Sequence, residues 1–318
     1  MTRVLLTGAS GFVGAAVQAR LLSDPRYLVR SVYRRLPSQP LARLEVCQVP
    51  GLEPQSDWQQ ALERVDVVIH CAGRVHVMDE REVDPLEVFR RVNVRGTLRL
   101  AEQAAEAGVR RFIYLSSIKV NGEGTLPGHP YTANDVPAPV DPYGISKLEA
   151  EQALLMLAAE TQMEVVIIRP VLVYGPGVKA NFRSMMGWLN RGVPLPLGAI
   201  TNKRSLVALD NLVDLIVICT HHPAAANQVF LVSDDEDLST SELLRLMARA
   251  LGRPARLLPF PMWMLRGVAQ LLGKKALSQR LCGSLQVDIK KTKALLEWTP
   301  AISVSGALEK TAKDFLER

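Results

Sequence analysis

A doubly wound α/β architecture, with helices on both faces of a parallel sheet, follows from three observations in this 318-residue chain. Short apolar runs rich in β-branched residues alternate with longer segments of helical period, a pattern that makes neighbouring strands parallel because each helix carries the chain back to the same end of the sheet. The first run opens straight into the turn Thr7-Gly8-Ala9-Ser10-Gly11-Phe12-Val13-Gly14, between a strand and a helix. After Pro170 the pattern breaks into short pieces, and residues 236–318 read as mainly helical, so a smaller C-terminal unit adjoins the sheet.

Taken in order, the apolar runs place strands at 4–6, 29–33, 44–49, 67–71, 112–116 and 165–168, with a last one near 229–232 returning to the sheet. Apolar residues at intervals of three and four predict helices over 12–22, 84–107, 143–160, 182–191 and 210–221. Tyr174-Gly175-Pro176-Gly177, Pro194-Leu195-Pro196 and Pro223 punctuate what lies beyond. Segment 259–273 carries Trp263, Met264, Leu265, Leu271 and Leu272 but is too short to span a bilayer. An amphipathic helix packed on its own domain is preferred there to an interfacial anchor, since few cations lie within it.

With 48% hydrophobic and 22% charged residues the chain is an ordinary globular protein, which excludes disordered and fibrous classes. Its length suits one large unit or two joined domains. The net charge of +6 is uneven: residues 240–318 hold 14 Lys and Arg against 6 Asp and Glu. Such asymmetry suits a diphosphate-bearing substrate or an anionic membrane surface, although a solvated face is the preferred reading. Nucleic acid is not expected, because no binding motif occurs and no aromatics interleave the cations. Cys47, Cys71, Cys219 and Cys282 lie far apart and read as reduced structural thiols. The apolar strand and glycine turn begin at once after Met1, which leaves no room for a signal peptide and predicts a cytoplasmic location. His70, His76, His129, His221 and His222 show no metal-ligand spacing, so no metal is assigned. The acidic run Asp234-Asp235-Glu236-Asp237 precedes a helix starting near 239–242, whose N-terminal dipole it complements.

In the turn, Gly8 permits the tight bend, Gly11 lets backbone approach a pyrophosphate and Gly14 allows close helix–strand packing. The helix start supplies unpaired N–H groups, so Gly8, Ser10, Gly11, Phe12, Val13 and Gly14 are read as a dinucleotide cradle of Rossmann type. Where a NAD-preferring unit carries an acid after the second strand, this chain reads Tyr33-Arg34-Arg35. A guanidinium there pairs with a ribose phosphate, so Arg34 or Arg35 favours NADP(H), with NAD(H) the alternative.

Tyr143-Gly144-Ile145-Ser146-Lys147 puts a phenol and an ammonium on one helical face, and the ammonium is expected to lower the phenol's pKa. Tyr114-Leu115-Ser116-Ser117 closes a strand upstream, where a serine can hold the same substrate oxygen.

With these segments the chain resembles the extended short-chain dehydrogenase/reductase family of nucleotide-sugar epimerases, dehydratases and reductases. The resemblance runs through TGASGFVG at 7–14, DVVIHCAG at 66–73, NVRGT at 93–97, YLSSIKVNG at 114–122, YGISK at 143–147, RPVLVYGPG at 169–177, RSLVALDNLVD at 204–214 and LLEWTP at 295–300. It implies that Ser117, Tyr143 and Lys147 perform the chemistry and that Asn93 fixes the Lys147 region. It also implies that Ala72, Gly73 and Pro170 line the nicotinamide pocket, that Arg204 binds the diphosphate of a UDP-sugar, that Asn181 and Lys119 contact the same substrate, and that Arg280, on a looser pattern, is a second phosphate ligand. Lys119 and Asn121 look like the reductase version of their segment. The implied activity is therefore reduction of the C4 ketone of a UDP-linked 4-keto-6-deoxy-N-acetylhexosamine, for surface polysaccharide precursors. The alternative is a UDP-hexose or UDP-N-acetylhexosamine 4-epimerase, and a remote one is a non-catalytic dinucleotide sensor. Residues 1–174 with 205–235 are expected to form the dinucleotide-binding domain, and 175–204 with 236–318 the substrate domain. The oligomeric state is open, a homodimer included.

Overall fold

The computed structural model describes residues 1–37, 43–75, 84–126, 128–271, 279 and 281–318. Its main sheet has seven strands in the order β3-β2-β1-β4-β5-β6-β9, every neighbouring pair parallel. The strands are β1 (Thr2–Thr7), β2 (Tyr27–Tyr33), β3 (Leu44–Gln48), β4 (Val67–His70), β5 (Arg111–Leu115), β6 (Glu164–Pro170) and β9 (Gln228–Val232). All four residues of β4, and β6 from Val165 onward, are buried, as a sheet covered on both faces requires. The helices covering it are α1 (Phe12–Leu22), α2 (Gln59–Leu62), α3 (Pro85–Phe89), α4 (Thr97–Glu106), α5 (Pro142–Glu160) and α7 (Leu209–Cys219). From β1 the chain winds first toward β2 and β3, then crosses back to β4, so the strand order reverses between β1 and β4. This is the Rossmann arrangement, in which ligands bind beyond the carboxyl ends of the strands where the order reverses. Thr7 and His70, in register there, are joined by a 2.7 Å Oγ1–Nδ1 hydrogen bond, and His70 Nε2 lies 3.0 Å from Thr97 Oγ1.

The single helix expected over 84–107 is three pieces. Between α3 and α4 the chain makes a π-helical stretch, Arg90–Gly96, in which a wider turn buries Asn93. Gly96 accommodates the neighbouring loop, since a Cβ there would lie 2.5 Å from the Leu52 carbonyl oxygen.

Beyond β6 the chain builds a second sheet that periodicity does not predict. It contains β7 (Leu172–Tyr174), β8 (Arg204–Ala208) and β10 (Asp237–Leu238), in the order β10-β8-β7. Strands of two, three and five residues are too short to carry a readable alternation. Around it α6 (Ala180–Asn190), α8 (Thr240–Ala250) and α11 (Val304–Glu317) bury Phe182, Met186, Leu244, Met247 and Leu308 in a core of their own. The remaining described helices are α9 (Met262–Leu271) and α10 (Lys290–Leu296).

The acidic run does not serve a helix dipole as expected. Asp234 is buried and accepts hydrogen bonds from Ala208 N, Asn211 Nδ2 and Tyr174 Oη at 2.7–2.8 Å. Helix α8 is capped instead by Ser239 and Glu242, each bonding the other's backbone. Helix α7 stops at Cys219, before His221 and His222. The four cysteines form no disulfide among the described residues, and burial pushes the Cys71 and Cys219 thiols up to about 12. No helix among the described residues is long and apolar enough to cross a membrane.

Candidate active site

Helix α1 begins at Gly11 with no side-chain cap and no acid in its first turn, so its leading N–H groups keep their partial positive charge. Gly8 sits at φ +73°, where a Cβ would come 2.7 Å from Ala72 N, and a Cβ on Gly14 would fall 2.1 Å from the Gly8 carbonyl oxygen. Backbone alone can pass here. Ser10 and Gly11 are exposed at the mouth of the turn, with Phe12 and Val13 half-buried behind them. Such a cradle fits a diphosphate, which needs donors and close approach rather than side-chain charge. At the end of β2, Tyr33 Oη donates to Gln18 Oε1 at 2.7 Å, while Arg34 and Arg35 stand exposed without an ion pair among the described residues.

The proposed chemical residues come together beyond β5. Ser117 caps a short turn, Ile118–Val120, by accepting from Lys119 N at 3.3 Å, and its hydroxyl is near enough to the Tyr143 phenol to act against the rise in that group's pKa. Tyr143 lies in the first turn of α5, whose start is fixed by Asp141 accepting from Gly144 N at 2.7 Å. Gly144 is needed because a Cβ would lie 2.8 Å from the Lys119 carbonyl oxygen. The Phe89 ring packs edge-on against Tyr143 at 6.0 Å. One turn along α5, Lys147 is buried, donates from Nζ to the Leu115 carbonyl at 2.9 Å, and lies 4.4 Å above the Tyr114 ring and 5.9 Å from that of Tyr143.

The electrostatics correct one expectation. Burial pushes the Tyr143 phenol up to about 12, against the opposing hydrogen bond from Ser117. Burial likewise draws Lys147 down to about 8, with Glu151 opposing. The phenol's pKa is therefore not lowered overall, because desolvation dominates while Nζ is turned to the Leu115 carbonyl.

Asn93 ties this cluster to the loop after β4. Its Oδ1 accepts from Arg74 N at 2.7 Å, and its Nδ2 donates to Arg74 O and to Ser146 Oγ. Gly73 passes between them: a Cβ there would stand 3.2 Å from Asn93 Oδ1 and 3.5 Å from Lys147 Nζ. Ala72 N lies 3.3 Å from Thr7 Oγ1, and Pro170 closes β6, buried.

Beneath the cluster runs a buried network that the sequence reading missed. Glu151, four residues after Lys147, receives Arg169 through Nε at 3.0 Å and Nη2 at 2.5 Å, and also the Ser116 hydroxyl. Arg169 Nη1 donates to Asn121 Oδ1 at 3.0 Å. The i, i+4 spacing of Lys147 and Glu151 on one helical face was the signal that could have found it.

The residues assigned to substrate are more dispersed. Lys119 is ion-paired with Asp141, the cap of α5, so its charge is already engaged. Asn181 is exposed in the first turn of α6. Arg204 starts β8, half-buried, donating to Gly283 O at 3.3 Å, and burial lowers its pKa. Arg280 and His76 lie outside the described residues. No group of three or more metal-ligating side chains converges among the described residues.

Comparison with known proteins agrees with this picture. A model of the NAD dependent epimerase/dehydratase family matches residues 4–233. The chain is 50% identical to the UDP-glucose 4-epimerase of Vibrio cholerae over 315 residues, which cover 99% of this chain and 95% of that protein. It is 29% identical to the N-acetyl-alpha-D-glucosaminyl-diphospho-ditrans,octacis-undecaprenol 4-epimerase of Escherichia coli O157:H7, covering 91% and 88%. Among solved structures, the UDP-glucuronic acid 4-epimerase of Bacillus cereus in complex with NAD superposes with a TM-score of 0.80 over 99% of both chains, at 20% identity.

Proposed function

The chain belongs to the NAD dependent epimerase/dehydratase family, and on that footing we propose that it is a nucleotide-sugar 4-epimerase acting on a UDP-hexose or UDP-N-acetylhexosamine. The observation that carries this is the 50% identity, end to end, with a UDP-glucose 4-epimerase, held by a chain whose Ser117, Tyr143 and Lys147 are assembled. The epimerase weighed as the alternative thus replaces the 4-keto-6-deoxysugar reductase as the main reading. A non-catalytic sensor would have no use for a proton relay.

In this reading Gly8, Ser10, Gly11, Phe12, Val13 and Gly14 hold the diphosphate of a nicotinamide dinucleotide. Ala72, Gly73, Asn93 and Pro170 line its nicotinamide end. Arg34 and Arg35, exposed at the end of β2, bias the site toward NADP(H) over NAD(H). When bound, the nicotinamide ring supplies the hydride acceptor and donor for C4 of the sugar. Tyr143 Oη takes the proton of the C4 hydroxyl and later returns it, and Ser117 Oγ orients that oxygen. Lys147, 5.9 Å from the Tyr143 ring, offers the positive charge that a phenolate requires. Arg204 holds the UDP diphosphate and Asn181 contacts the same substrate, whereas Lys119 acts through Asp141 on the start of α5. The seven-stranded sheet with its helices, expected at 1–174 with 205–235, serves as the dinucleotide-binding unit, and the second sheet with its helices, expected at 175–204 with 236–318 and joined by β7 and β8, as the substrate unit.

The test is stoichiometric. Each of UDP-glucose and UDP-N-acetylglucosamine is incubated with the enzyme and a trace of dinucleotide, and conversion of at least one to its C4 epimer is expected without net consumption of cofactor. One-to-one oxidation of NADPH by a UDP-4-keto-6-deoxy-N-acetylhexosamine, with no epimerisation of either sugar, would restore the reductase reading.

A further inference from the structure

The sequence contains two long stretches of a single charge sign. Residues 179–204 hold five Lys or Arg and residues 243–287 hold eight, with no Asp or Glu in either. The fold brings part of the one beside part of the other, 190–195 against 253–258. Leu195 and Leu257 form a bridge, Leu195 N donates to Arg256 O at 2.9 Å, and Leu258 N donates to Leu195 O at 2.8 Å. Arg253 Nε reaches Asn190 Oδ1 at 3.3 Å. Arg191, Arg253 and Arg256 are exposed and make no ion pair among the described residues.

Large apolar side chains are exposed in the same two stretches of sequence. Trp188, Val193, Leu258 and Phe260 are each about two-fifths exposed, and on α9 Trp263 is 74% and Leu271 89% exposed. Helix α9 is held to the second core by Met262 and Leu265, which leaves Trp263 facing out. The helix packs on its own domain through one side, as expected of an amphipathic helix, but the other side carries Trp263 and Leu271 exposed.

We propose that this face docks on the surface of an anionic phospholipid bilayer, the arginines at the headgroups and Trp263, Phe260 and Leu271 in the acyl boundary. Interleaved cations and tryptophan are what an interfacial surface combines. Nucleic acid would satisfy the arginines but leave the tryptophans and leucines in water. Pairing with a second copy through a twofold axis would set like charges against each other. This inference stands apart from the epimerase reading, and its test does not use turnover as a readout of binding.

The full chain is sedimented with sucrose-loaded vesicles of phosphatidylglycerol and phosphatidylethanolamine, or of phosphatidylcholine alone, at low and high salt. Binding is expected to the anionic vesicles, falling with salt, and about tenfold or more weaker on phosphatidylcholine. Lipids brominated in the acyl chain should quench the wild-type tryptophan fluorescence, a measurement that needs no variant. Replacing Arg191, Arg253 and Arg256 with Gln together should weaken vesicle binding by about 100-fold, the loss expected for three cations at such a surface. Trp263→Ser should abolish most of the quenching, while the epimerase or reductase activity found for the wild type in solution is retained by both variants. Equal partition onto neutral and anionic vesicles would overturn the proposal. Absence of quenching would do the same, and so would retention on DNA that outcompetes the vesicles or a dimer that Trp263→Ser dissociates.

Discussion

Lys147→Met should stabilise the protein at neutral pH while removing its chemistry. Methionine keeps much of the lysine stem's volume, so the perturbation is mainly the loss of a buried charge. Burial draws the Lys147 pKa from 10.5 to about 8, which corresponds to a cost of order 3 kcal/mol for holding the ammonium in the folded chain. Because the folded value lies below the unfolded one, the cost is felt in full below pH 8, fades between pH 8 and 10.5, and is absent above. Against the gain stands the loss of the 2.9 Å hydrogen bond to the Leu115 carbonyl, about 1 kcal/mol. A net gain of about 1–2 kcal/mol is expected at pH 7, shrinking to nothing or reversing by pH 10. Denaturant titrations of both proteins at the two pH values, with dinucleotide removed, measure it. A variant that is less stable at pH 7, by an amount unchanged at pH 10, would refute the argument that desolvation dominates at this site.

Tyr143→Phe should leave dinucleotide affinity nearly intact while turnover falls by about two to four orders of magnitude, the usual loss for one general acid–base group; near-normal turnover would remove Tyr143 from the mechanism. Changing Arg34 and Arg35 together to Ala should weaken NADPH more than NADH, by about 1.5–3 kcal/mol if a phosphate contact is lost, as titration of both cofactors would show. Arg169→Leu leaves Glu151 buried beside Ser116 without its partner and should cost about 3–5 kcal/mol of stability, read by denaturation, with part recovered on adding Glu151→Gln. Arg204→Leu should raise the substrate KM far more than it changes kcat, and an unchanged KM would rule out a diphosphate contact.

What the sequence determined by itself is local. The β1 turn could be read because its glycines are demanded by contacts within a few residues or with the adjoining strand: no Cβ fits at Gly14 beside the Gly8 carbonyl. The strands and helices of the main sheet are legible for the same reason, since alternation and helical period belong to each segment. The spacing of Tyr143 and Lys147 fixes their shared face of α5 before any tertiary contact forms. Tertiary structure decided what depends on residues far apart in the chain. It split the helix over 84–107 with a π turn that aims Asn93 at Gly73 and Ser146. Across 22 residues it paired Lys119 with Asp141, and it joined Glu151, Arg169, Ser116 and Asn121 below the site. It also buried Tyr143 and Lys147, so that desolvation raises the phenol and lowers the ammonium where spacing alone predicts a lowered phenol. The physical reason is common to all four. Spacing along a helix specifies which groups are neighbours, but desolvation and charge pairing depend on everything that closes over them, and only the assembled fold supplies that.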